Sequence, residues 1–300
     1  MNHIGLHIIG DAFDPQRLCS PGGAVPKIVK LVDPSDTFKR RVRQAVGRDC
    51  LIVIRYGADQ PQPYNAPGTN AQEWYSRWIA RMIAQNDPNV AFEGYNEAAN
   101  TYDEGELARH VEFDAVRLAL MQRAGLRCVV GNYGVGHPPQ DLPKPLKMLL
   151  AAMKAGDLWG HHSYWTDRAD IDNPWHTNRW TLTQELYALA KAGRLVVTEC
   201  GRDYCQDTGQ GKPGWKLTCG ADEYLGDLVH FAHVIGGVRA TVFTAGIETG
   251  WAAFGVNDIW QRVVSQYAAP VPPPPPAVNW EERARRAEAK LAVIKNILEQ

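Results

Sequence analysis

A chain of 300 residues with 45% hydrophobic and 22% charged residues can bury a substantial core, which argues against global disorder. Its length suits one or two domains, or a single large α/β barrel. The net charge of -1 argues against a nucleic-acid partner, whose binding would rest on phosphate neutralisation, and no apolar run approaches a membrane span.

Apolar, β-branched runs recur along the chain. The first is IGLHIIG (4–10), inside an N-terminus that lacks a basic region and a small-residue cleavage site. It reads as a strand and not as a signal peptide, which leaves the compartment open. The segment DAFDPQRLCSPGGAVP follows without a convincing helix, so the first crossover is expected to be a loop or a very short helix. Strand candidates continue with KIVKLVD (27–33), CLIVIRYG (50–57), VAFEGYN (90–96), RCVVGNYG (127–134), LWGHHSYW (158–165), RLVVTECG (194–201) and VRATVFTAG (238–246).

Amphipathic helices lie between them. In 72–86, Trp74, Trp78 and Met82 share one face; in 104–124, Leu107, Val111, Ala115 and Leu118 repeat at helical spacing. Weaker patterns cover 36–46, 142–155, 180–192, 221–235 and 257–267. Strands alternating with helices, in runs continuous enough to be buried on both faces, predict a (β/α)₈ TIM barrel over residues 1–268. A doubly wound open sheet is the lesser alternative, because no G-x-G-x-x-G follows the first strand.

The composition changes after residue 268. Residues 269–277 form a proline-rich linker, and 278–300 read as a short C-terminal amphipathic helix. Trp280, Ala284, Ala287, Leu291, Ile294 and Leu298 follow coiled-coil seam spacing, so a homo-oligomer formed through this helix is the expected protein partnership.

In such a barrel the C-terminal strand ends carry the site. Read in order, they offer Asp11 and Asp14, Asp33, Arg55 with Asp59, Asn96 with Glu97, Asn132 with Tyr133, His162 with Tyr164, Glu199, and Thr244 before a loop with Glu248 and Trp251. Glu97 after the fourth strand and Glu199 after the seventh stand on opposite walls, where their carboxyl groups can face each other. Glycosidic-bond hydrolysis needs such a pair, one to protonate the leaving oxygen and one to attack the anomeric carbon. Asp33 and Asp59 read more simply as caps of the helices that follow. Only one of His161 and His162 can face the barrel interior, and the other should pack under a helix. His230 and His233, three apart on a helix, read as an ordinary helix face. Cys200, Cys205 and Cys219 share one Gly-rich region, where a Cys205–Cys219 disulfide is compatible with the spacing and a zinc site is not favoured.

GYNEA and VVTECG resemble the acid/base and nucleophile strand ends of the clan A glycoside hydrolases, and DLWGHHSYW resembles the His-x-Tyr strand six of those barrels. The resemblance covers residues 1–268. It implies that Glu97 is the general acid/base and Glu199 the nucleophile of a retaining enzyme acting on a poly- or oligosaccharide. It further implies that Asn96 binds the sugar 2-hydroxyl, that Tyr164 hydrogen-bonds Glu199, that His162 lines the same subsite and that Arg55 supplies positive charge near the nucleophile. The aromatic platform that the family carries at the end of strand eight would fall to Trp251, Trp165 or Trp159. No metal or organic cofactor is expected. The alternatives are a non-catalytic carbohydrate-binding or structural barrel in a larger assembly, and a metal-dependent barrel hydrolase using His162 and the aspartates.

Overall fold

The computed structural model describes residues 1–57, 65–203, 214–246 and 250–268. Asp59, Cys205, Glu248, the linker 269–277 and the segment 278–300 lie outside the described residues, and with them the disulfide and coiled-coil expectations.

All eight apolar runs are strands: β1 (Ile4–Ile9), β2 (Ile28–Val32), β3 (Leu51–Arg55), β4 (Val90–Glu93), β5 (Cys128–Tyr133), β6 (Leu158–Trp165), β7 (Leu195–Arg202) and β8 (Arg239–Gly246). They pair in parallel in chain order and close on themselves, β8 against β1. The helices are α1 (Asp36–Val46), α2 (Pro67–Gln85), α3 (Glu104–Arg123), α4 (Lys144–Ala152), α5 (Arg168–Ile171), α6 (Gln184–Lys191), α7 (Trp215–Thr218), α8 (Ala221–Val234) and α9 (Trp260–Ser265). The first crossover holds only a 3₁₀ turn, Pro15–Leu18, capped by the Asp14 side chain. The single helix expected over 180–192 is broken: a 3₁₀ turn, Arg179–Leu182, gives way at Thr183 to α6. Asp33 does not cap α1. Its side chain accepts from the Gly57 N–H at 2.8 Å, and the cap is Ser35, whose Oγ accepts from Phe38 N–H at 3.0 Å.

The period of two along each strand sorts side chains between the barrel interior and the helix layer. Ile28, Leu51, Val53, Ala91, Val129, Leu158 and Val196 pack together as the apolar floor of the interior. Two residues further along, the same inward line reaches Lys30 on β2, Arg55 on β3, Glu93 on β4 and Gly160 then His162 on β6. The interior is thus apolar at one end and ionic at the end where the site lies. The outward residues, among them Leu31, Ile54, Phe92, Trp159 and Trp165, join the larger core beneath the helices.

The helix layer is fastened to the barrel by a buried ion pair. Arg117 on α3 donates to Asp114 at 2.8 Å and to the backbone oxygens of Phe92 at 3.2 Å and Val129 at 2.6 Å. Asp114 also accepts from Gly131 N–H at 2.9 Å. Residue 94 has to be glycine, because a Cβ there would stand 2.7 Å from Arg117 Nε. Burial alone would raise the Asp114 pKa, but Arg117, His110 and the Gly131 N–H outweigh it and hold the carboxyl at about 2. A depressed carboxylate stabilises the fold above its unfolded pKa and loses that contribution as pH falls towards its folded one. Wild type should therefore lose roughly 2 kcal/mol between pH 5 and pH 2 from this residue. Asp114→Asn should be less stable at neutral pH by about 3–5 kcal/mol, because it strands a buried guanidinium. Its stability should also fall less steeply with acid, as read from denaturant melts across pH.

Candidate active site

The ionic end of the interior is centred on Glu199. The strand register slips between Val197 and Cys200, so Thr198 and Glu199 both reach the interior side of β7. Glu199 Oε1 accepts from Lys30 Nζ at 3.0 Å and from Arg55 Nη1 at 3.3 Å, while Oε2 accepts from the Tyr164 hydroxyl at 3.0 Å. Lys30 Nζ also donates to Glu93 Oε1 at 2.8 Å. The Lys30 and Glu93 side chains have no solvent exposure. Burial pushes the Glu199 pKa upward, yet Lys30 first, then His162, His7 and Arg55, bring it well below the usual carboxylate value. Tyr164 moves the opposite way. Burial and the adjacent Glu199 charge raise its phenol well above its ordinary pKa, so it stays a donor.

Glu97 is placed differently from the sequence expectation of a strand end. β4 stops at Glu93, and Glu97 stands four residues beyond it in the loop. Its backbone occupies the left-handed region, φ 49°, as does that of Asn132, φ 56°. For non-glycine residues these are costly conformations, of order 1–3 kcal/mol each. A hydrogen bond joins the two residues, the Glu97 N–H donating to Asn132 O at 2.9 Å. The Glu97 carboxyl is about one-third exposed, and its Oε1 lies 2.7 Å from His162 Nδ1. His162 Nδ1 is also 3.8 Å from Glu199 Oε2. A carboxylate oxygen of Glu97, a ring nitrogen of His162 and a carboxylate oxygen of Glu199 all fall within 4.8 Å of one another.

The other expected residues are distributed around this pair. Asn96 Oδ1 accepts from Arg55, tying the two together beside Glu199. Asn132 is not at the cleft surface. It is buried and accepts from Thr198 Oγ1 at 3.3 Å, its amide oxygen filling the space that the absent side chain of Gly160 leaves. Trp159 and Trp165 are wholly buried, whereas Trp251 is 37% exposed and packs edge-on against Phe243 and Phe254. Phe243, within β8, also meets Tyr164 and His7. His161 packs outside the barrel wall, buried, with its pKa lowered by desolvation to about 3. His230 pairs with Asp172 at 3.0 Å.

Lys30, Glu93, His7 and Phe243 complete the site without a strand-end signal in the sequence. A lysine inside KIVKLVD and a glutamate inside VAFEGYN are the available signal, since a charge at an inward position of a buried parallel strand demands a partner. Glu97, His162 and Glu199 also form the one cluster among the described residues with metal-ligand spacing. The surroundings do not favour a cation. Both oxygens of Glu199 already accept from protein donors, and the nearest fixed charges are the cations Lys30 and Arg55.

No family model matches the sequence, and no curated protein matches it. Solved structures share the fold. The modular endo-β-1,4-mannanase of Cellulomonas fimi, of glycoside hydrolase family 26, superposes with a TM-score of 0.51 at 10% identity over 89% of this chain and 71% of its own. A β-mannanase from Streptomyces thermolilacinus gives 0.45 at 16% identity, covering 80% and 77%. A β-1,3-glucanase from Cryptomeria japonica pollen gives 0.45 at 13%, covering 84% and 94%. The likeness is one of fold. The barrel is the architecture that the strand-end motifs implied.

Lys30 balances two buried carboxylates, so its removal should cost more than its own contacts. Lys30→Met should lower stability by about 3–5 kcal/mol by leaving Glu93 and Glu199 with Arg55 as their nearest cation. Lys30→Met/Glu93→Gln, which restores the charge balance, should be more stable than Lys30→Met alone in the same denaturant series, a coupling that a double-mutant cycle reads directly.

Proposed function

We propose that the protein is a retaining glycoside hydrolase acting on a poly- or oligosaccharide, with Glu199 as nucleophile and Glu97 as general acid/base. The observation that carries this reading is the spacing and asymmetry of the two carboxyl groups. One oxygen of each lies within 4.8 Å of the other, which supports the roughly 5–5.5 Å separation of double displacement over the wider one of inversion. One carboxylate is buried among cations and kept ionised, while the other is accessible and shares a short hydrogen bond with a histidine. That is the division of labour such a reaction needs. The fold shared with the Cellulomonas fimi endo-β-1,4-mannanase lends the same direction.

In the first step a Glu199 oxygen attacks the anomeric carbon while the bond to the leaving sugar breaks, and Glu97 gives its proton to the departing oxygen. In the second, water attacks the same carbon, Glu97 takes the water proton and Glu199 leaves with its electron pair. Lys30, Arg55 and Tyr164 hold Glu199 in one orientation through both steps, so little reorganisation is required when its charge is spent and regained. In this reading Asn96, fixed by Arg55, binds the sugar hydroxyl next to the anomeric centre.

The test is a panel of aryl glycosides, β-1,4-mannan and β-1,3-glucan offered to wild type, Glu97→Gln and Glu199→Gln. Either substitution should lower kcat by 10³-fold or more, an order of magnitude typical of removing one reacting group. Azide should rescue Glu199→Gly with an inverted glycosyl azide as product. Wild-type turnover by both glutamine variants would overturn the assignment. Because Glu199 is held well below the ordinary carboxylate pKa, it stays ionised as pH falls through 4.5, so kcat/KM should keep no acid limb at that value. In Lys30→Met the acid limb should move upward.

A further inference from the structure

Beyond the catalytic pair, three neighbouring loops build an aromatic ledge that the two-glutamate chemistry does not use. Tyr102 in the loop after β4 is 53% exposed and Trp175 in the loop after β6 is 47% exposed, unusual for rings of this size. Both are fixed by one buried guanidinium. Arg179 lies 3.7 Å over the Trp175 ring and donates to the Tyr102 hydroxyl at 2.7 Å and to Pro138 O. The Tyr102 hydroxyl in turn donates to Gly136 O at 3.1 Å, in the loop after β5. A Cβ on Gly136 would lie 3.4 Å from the Trp175 indole nitrogen, so the ring seats directly against this loop. Two residues back, a Cβ on Gly134 would lie 3.4 Å from the Glu97 carboxyl. The ledge therefore begins beside Glu97, across the barrel mouth from Trp251 and the end of β8.

Resting on the catalytic reading above, we propose that Trp175 and Tyr102 form a leaving-group subsite, which stacks the sugar ring beyond the scissile bond. The group that protonates the leaving oxygen must adjoin the leaving sugar, and these two exposed aromatics seat against Gly136, on the same turn as the Gly134 that borders the Glu97 carboxyl. An indole held flat by a cation beneath it offers its other side to the C–H face of a pyranose at little ordering cost. The substrate class is then a chain with at least one sugar on the leaving side, not a simple glycoside.

The test compares wild type, Trp175→Ala and Trp175→Tyr on β-1,4-mannan and β-1,3-glucan hexasaccharides and on the matching glycosyl fluorides, whose leaving group is a single atom. On whichever hexasaccharide is cleaved, kcat/KM should fall about tenfold or more in Trp175→Ala, with hydrolysis of the fluoride within about twofold of wild type. Trp175→Tyr should restore most of the loss. An equal loss on both substrates would assign Trp175 a purely structural role, and no loss on either would remove it from the subsite. Failure of wild type to cleave or, by calorimetry, to bind either hexasaccharide would also overturn the inference. Failure of the catalytic reading shows separately, as cleavage retained by Glu199→Gln, because the Trp175 comparison does not depend on which group is the nucleophile.

Discussion

An ammonium group in the middle of a barrel is the constraint on which the site depends. Lys30 reaches two carboxylates from opposite walls, Glu93 on β4 and Glu199 on β7, and none of the three can be left alone. An unpaired charge at that depth would cost several kcal/mol, so each of the three fixes the other two. A surface ion pair would tolerate slack between its partners. Here the interior geometry of β2, β4 and β7 must agree to within hydrogen-bond distance, which is a demand on the whole closed sheet. The apolar floor of Ile28, Val53, Ala91 and Val196 excludes water from below and makes the demand strict.

The network separates the two glutamates by environment and not by residue type. Glu199 is surrounded by donors inside the sheet. Glu97 stands on a loop with its backbone in a costly conformation, held by Asn132 O and by His162. One is part of the interior, and the other leans over it. Two like carboxyl groups at this spacing would repel strongly if both were ionised without compensation, and the cations sit asymmetrically, against Glu199.

The barrel itself is legible because most strands carry a continuous apolar run and most crossovers carry a helical face. Glu97, Glu199, Asn96, Arg55, His162 and Tyr164 were legible because polar residues at strand ends have few reasons to be there, and these six do come together. Lys30 and Glu93 were harder to see. Lys30 interrupts the middle of an apolar run and Glu93 closes one, so the hydrophobic pattern masks both. Asn132 shows the converse error. At a strand end it reads as a cleft residue, but the register irregularity between Gly131 and Tyr133 places it in the interior, over Gly160. Asp33 reads as a helix cap because aspartate suits that role. Its left-handed backbone, φ 49°, directs the side chain to the β3 loop instead. Register slips and positive φ angles are consequences of closure, and no local pattern announces them.

The guanidinium of Arg117 gives the mouth of the barrel a mechanical grain. It grips the backbone of β4 and, with Asp114, that of β5, and the loops leaving those two strands carry Glu97, Tyr102 and the Gly134–Gly136 turn. Helix α3 thus acts as a common mount. A displacement of either strand end should therefore be shared by both loops, so the Glu97 carboxyl and the Gly134–Gly136 turn should move together more than either does with the rim at β8. A chain lying across the mouth would be gripped on one side by parts that move together, and the breathing of the cleft would be felt as a change in its width rather than in the register of that grip.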